Sequence, residues 1–106
     1  MAQLVATEKQ SPNEVLRYLL DYTLDLNTGE SLSTLTCTVT STTDNPPTLV
    51  INNIALAPAV SGQITQATFF ASLGKAGNSY EASFLATTTL GQVFESVVAF
   101  NIVSFQ

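Results

Sequence analysis

The chain has 106 residues, 45% hydrophobic and only 10% charged, with eight acids against three bases and a net charge of −5. That length holds one domain with a core of its own, and the apolar content argues against a disordered chain. Lys9, Arg17 and Lys75 stand too far apart for the basic patch a nucleic-acid backbone needs, the absence of His removes the commonest general base and most zinc sites, and no run approaches the roughly 18 apolar residues of a membrane helix.

Residues 1–10, Met1 to Gln10, carry neither a basic start nor a long apolar stretch and read as no secretory signal. Their small apolar patch, Leu4-Val5-Ala6, reads as an arm outside the domain proper, which would then span 11–106. Such an arm is ordered by a neighbour, for example by adding a strand to a sheet edge, or it is a frayed terminus or one more strand of its own sheet. Ser11-Pro12-Asn13-Glu14 has the form of a capping box. It allows a helix ending by about Tyr22, with Val15, Leu16, Leu19 and Leu20 as its stripe, but a single turn at 11–15 followed by a strand is favoured. From Leu16 to Leu26 the even positions Leu16, Tyr18, Leu20, Tyr22, Leu24 and Leu26 are all apolar or aromatic, a period of two.

Asn27-Thr28-Gly29-Glu30 is a turn. Leu32 to Thr42 then alternates, with Thr34, Thr36, Thr38 and Thr40 on one face and Leu35, Cys37 and Val39 on the other, the pattern of a half-buried strand. Thr43-Asp44-Asn45-Pro46-Pro47 breaks it. Leu49 to Leu56 is a strand interrupted near Asn52-Asn53, and Ala57 to Gly62 is a loop. Ile64 to Leu73 follows with Ala67, Phe69 and Ala71 on one face. Gly74 to Ser79 is a corner. Tyr80 to Thr88 turns Tyr80, Ala82, Phe84 and Ala86 inward, Leu90-Gly91-Gln92 is a hairpin turn, and Val93 to Phe105 turns in Phe94, Val98, Phe100 and Ile102.

Short strands at this spacing predict an all-β sandwich of about seven strands, of the immunoglobulin-like or fibronectin-III-like kind. Tyr80 stands where a tyrosine corner would close the core, its hydroxyl reaching back to a nearby backbone group; the alternative is an ordinary core tyrosine. Cys37, the single cysteine, cannot form an intrachain disulfide and reads as a small buried hydrophobe, with an intermolecular bridge or a reactive thiol as the alternatives.

With the strands placed, three stretches resemble a family of small Ig-like proteins encoded among the structural genes of tailed bacteriophages and prophages. They are Lys9, Pro12, Glu14-Val15-Leu16, Tyr18 and Asp21-Tyr22-Thr23; then Gly29-Glu30-Ser31-Leu32; then Ala76-Gly77-Asn78-Ser79-Tyr80 with Thr87-Thr88, Gly91 and Glu95. The similarity spans about residues 9–103. Gln92 stands where an Arg often follows the hairpin glycine, and Cys37 or Val39 stands where an aromatic is common. The resemblance implies a non-enzymatic virion component.

Nothing in the chain makes a catalytic constellation. Asp21 and Asp25 share a strand face about 13 Å apart at the ordinary strand rise, too far for a glycosidase pair. Asp25 to Glu30 opens like a calcium loop, but Gly29 comes one place early and Thr36 stands where a bidentate Glu belongs. No cofactor is expected. The leading expectation is a capsid decoration or cement protein on the capsid surface, assembled in the host cytoplasm. It would be a homo-oligomer bound to the major capsid protein or another virion protein, and neither nucleic acid nor a membrane would be a partner. The residues expected to bind a partner are Leu4 and Val5 in the arm and Asp44, Asn45, Pro46 and Pro47 in an end loop. The alternatives are a head–tail connector, tail or fibre-associated protein, or a carbohydrate- or cell-surface-binding module. The last would want exposed aromatics, yet Tyr18, Tyr22 and Tyr80 all fall on expected core faces.

Overall fold

The computed structural model describes residues 3–58 and 62–103. These residues form seven strands: β1 (Gln3–Gln10), β2 (Val15–Asp21), β3 (Leu32–Thr40), β4 (Leu49–Leu56), β5 (Gln66–Leu73), β6 (Ser79–Thr88) and β7 (Val93–Ile102). One sheet has the order β1-β7-β6-β3 and the other β2-β5-β4. All pairings are antiparallel except β1 with β7, which is parallel. Two sheets with β2, β3 and β4 alternating between them make the expected sandwich, and the strand order fits an immunoglobulin-like arrangement.

The inward face of each central strand is the one the alternation marks. Phe69 and Ala71 on β5, Tyr80, Ala82, Phe84 and Ala86 on β6, and Val98, Phe100 and Ile102 on β7 form one buried cluster. Small Ala residues interleave with large rings, which lets the two layers interdigitate. Phe69 lies 4.7 Å from Phe84, centroid to centroid, and Tyr18 stacks on Phe69 at 5.4 Å. On β3, Leu35, Cys37 and Val39 are half-buried while Thr34, Thr36, Thr38 and Thr40 are exposed.

Of three expectations for the first part of the chain, the first changes, the second holds in its favoured form, and the third falls to one of its stated alternatives. The strand from Leu16 ends at Asp21, because the Asp21 carboxylate accepts from the Thr23 backbone N–H at 2.9 Å and from the Thr23 hydroxyl. This local ring competes with the ladder, and Thr23–Asp25 becomes a 3-10 turn that leaves Leu24 99% exposed. Tyr22 keeps its inward direction. Second, residues 11–14 are a single turn, closed by the Glu14 carboxylate on the Ser11 N–H at 2.8 Å and by Glu14 N–H on the Ser11 carbonyl at 3.1 Å. The helix alternative is absent.

Third, the expected arm is, from Gln3 onward, strand β1 of the sheet, aligned from Gln3 opposite Ser96 to Gln10 opposite Ile102. The fully buried Gln10 side chain fixes its end. Its amide donates to the Ala71 carbonyl at 2.7 Å and the Glu14 carbonyl at 3.0 Å, and its oxygen accepts from the Tyr18 hydroxyl at 2.8 Å. Residues 59–61, in the middle of the expected Ala57–Gly62 loop, and residues 104–106, at the end of the strand expected to reach Phe105, lie outside the described residues.

Candidate functional site

At one end of the sandwich the turn 11–14, the loop 41–48 and the corner 74–78 come together. Tyr80, at the start of β6, makes the expected corner: Lys75 N–H donates to its hydroxyl at 3.0 Å, and the hydroxyl donates to the Asp44 carboxylate. The same carboxylate oxygen accepts from Thr48 Oγ1 at 2.6 Å and Thr48 N–H at 3.1 Å, and Lys75 Nζ stands 3.5 Å from the other. Asp44 is therefore buried and held by neutral donors, Thr48 and Tyr80 first, which lower its pKa to about 2. It shapes the loop from within. Asn45 and Pro46, joined by a cis peptide, are exposed beside it, and Pro47 is half-buried.

At the other end a second carboxylate does the same work. Glu30 is fully buried. It accepts from Asn27 N–H at 2.9 Å and Thr88 Oγ1 at 2.5 Å, and the Gln92 amide nitrogen donates across its two oxygens at 2.8 and 2.9 Å. These bonds tie the 27–30 turn to the β6–β7 hairpin and hold the Glu30 pKa below the usual carboxylate range, the Asn27 N–H leading. Glu30 is spent on hydrogen bonds inside the fold rather than on a cation. In the sequence it looked like one member of a turn; only the long-range partners Thr88 and Gln92 reveal it.

Between the ends, a cleft of about 600 Å3 opens where β2, the edge of one sheet, faces β7 and β1, the edge of the other. Glu8, Asp21, Asp25 and Glu95 line it, with Tyr22, Phe94 and Ser96 contributing to its walls. Tyr22 and Phe94 stack nearly parallel, 18° apart with centroids at 6.3 Å. Tyr22 is 4% exposed, and its hydroxyl has no hydrogen-bond partner. Burial above all raises its pKa, the Ser96 hydroxyl nearby acts to lower it, and the Asp25 charge raises it further. The sequence reading placed Tyr22 on a core face and missed the cleft, because its walls, such as Tyr22 and Phe94, come from distant parts of the chain that no local pattern joins.

The remaining expected site residues divide. Leu4 and Val5 belong to β1 by their backbone, and their side chains lie outside what is described. Asp44 is brought next to Asn45, Pro46 and Pro47, but it faces inward and β1 does not join that group. Cys37 is half-buried on β3, and burial pushes its thiol up to about 11, the behaviour of a packed hydrophobe rather than a reactive thiol.

Residues 10–101 match the sequence model of a family described as podophage GP4 fiber-tail adaptor protein gp77. Comparison with curated proteins gives no match. The matched span begins at Gln10 and ends at Asn101, one residue short of the end of β7, taking in β2 to β6 entire. That description moves the expectation away from capsid decoration and toward its alternative, a tail- or fibre-associated protein. The chain belongs to the Gp77 family, and is a structural protein of tailed phages.

Proposed function

We propose that this chain is an adaptor in the virion, joining a fibre protein to the tail by buried surface rather than by chemistry. The family match over residues 10–101 carries this reading. The side chains are consistent with it. Asp44 and Glu30, the two buried carboxylates, are committed to hydrogen bonds within the protein, so neither is free to act as an acid or a base. An adaptor meets two partners, and the elongated body of 46 × 25 × 18 Å has two differently built ends to offer. At the loop end, exposed Asn45 and Pro46 with half-buried Pro47 present a shaped surface that Asp44 holds in place. The edge strand β1, which carries Leu4 and Val5, is the second contact. The partners are a tail protein and a fibre protein, and the chain is found on the particle at the tail.

Purified particles test this. Mass spectrometry of DNA-filled particles is expected to find the chain at a copy number on the order of a dozen, and particles made without it are expected to keep full heads and lose fibres by electron microscopy. Hundreds of copies per particle, with fibres still attached when the chain is missing, would return it to the capsid surface.

A further inference from the structure

The cleft between β2 and β7 has a feature that packing alone does not account for. Buried polar atoms are normally hydrogen-bonded, because leaving one bare forfeits the water it gave up. Among the described residues, the Tyr22 hydroxyl is the one buried side-chain polar atom with no partner. Tyr22 lines a cleft whose volume, about 600 Å3, is in the range of ligand sites. Around it the cleft carries four carboxylates, Glu8, Asp21, Asp25 and Glu95, and no basic side chain. Its apolar wall is a pair of stacked rings, Tyr22 and Phe94. Leu19 and Val93, both more than half exposed, stand beside it.

We propose that this cleft receives an arginine or lysine side chain from another virion protein, flanked in that protein by apolar residues. This inference rests on the adaptor reading and names the chemistry of one of its contacts. A guanidinium has an apolar stem for the ring wall, a face that stacks on aromatic rings, and hydrogens for the carboxylates and the bare phenol oxygen. Among the described residues no three groups converge as metal ligands would, so an organic cation suits the cleft and a metal ion does not. A second copy of the chain is a poor occupant. Each copy carries −5, and of its three basic residues Lys75 already faces Asp44, so charge disfavours self-docking.

The purified chain can be titrated with the blocked tripeptides acetyl-Leu-Arg-Leu-amide and acetyl-Leu-citrulline-Leu-amide, the second a neutral isostere of the first. Nuclear magnetic resonance of the backbone amides reads the site. The expected result is saturable shifts at Tyr22, Asp25, Phe94 and Ser96 with the arginine peptide, and at least tenfold weaker binding of the citrulline peptide. The double variant Asp25→Asn with Glu95→Gln, both on exposed residues, should melt as the parent does and bind the arginine peptide at least fivefold more weakly. Equal binding of the two peptides, no saturable shift at these residues, or full binding by the double variant would each overturn the proposal. So would a dimer in sedimentation that the double variant dissolves, since the occupant would then be a second copy. Failure of the adaptor reading looks different: it shows as hundreds of copies on capsids, whatever the peptides do.

Discussion

Single residues at the loop end do more than fill space. Gly74 has φ +85°, and a Cβ there would stand 2.9 Å from Ile102 Cγ1 and 3.4 Å from Tyr80. Gly74→Ala combines left-handed strain with overpacking and should cost about 2–4 kcal/mol in urea unfolding. Gln10→Ala strips partners from the Ala71 and Glu14 carbonyls and the Tyr18 hydroxyl. Buried groups left bare cost about 1–3 kcal/mol each, with part recovered by water, so a total of about 2–4 kcal/mol is expected. Cys37, its thiol pushed up to about 11, should react with a thiol reagent at pH 8 far more slowly in the folded chain than in urea; equal rates would show an accessible thiolate. Gly74 was visible in the sequence as a corner, but the need for glycine came from Ile102, which closes over it from another strand. Gln10 carried no signal at all, because a polar residue near a chain end reads as solvated until its partners are placed.

Elements were more legible than sites. Alternation identified the inward faces of β3, β5, β6 and β7, since a strand with one buried face must repeat every two residues. It overran at Leu24, where the Asp21–Thr23 ring turns the chain out of the sheet while the letters still alternate. β1 was harder. Its pattern is short, and a parallel partnership with β7, at the far end of the chain, leaves no hairpin signal between the two. Deleting residues 1–9 tests its role: removing a strand of the sheet should lower the unfolding free energy by at least about 2 kcal/mol, through lost ladder bonds and exposed core. An unchanged melting temperature with lost particle binding would make the segment a docking arm after all.

Across the whole molecule, the two ends are held by buried carboxylates, Glu30 at the hairpin end and Asp44 at the loop end. Both have folded pKa values below their ordinary ones of 4.5 and 3.8, Asp44 reaching about 2. A depressed carboxylate stabilises the fold above its unfolded pKa, and that stability is lost as pH falls toward the folded value. The melting temperature should therefore be flat from about pH 7 to about pH 5 and drop steeply below pH 4. In Asp44→Asn the drop should be shallower, from a lower starting point. A melting curve that fell equally in the parent and the variant would assign the acid sensitivity elsewhere.

The parallel pairing of β1 with β7 also decides how the protein bears a load. Gln3 lies opposite Ser96 and Gln10 opposite Ile102, so the start of β1 and the end of β7 lie at opposite ends of the shared ladder, about one strand length apart. Tension applied between those points pulls the two strands past each other. The hydrogen bonds of the ladder are then strained together, in shear, rather than opened one at a time like a zipper. In the adaptor role proposed above, a pull applied at those two points would meet a ladder loaded in shear.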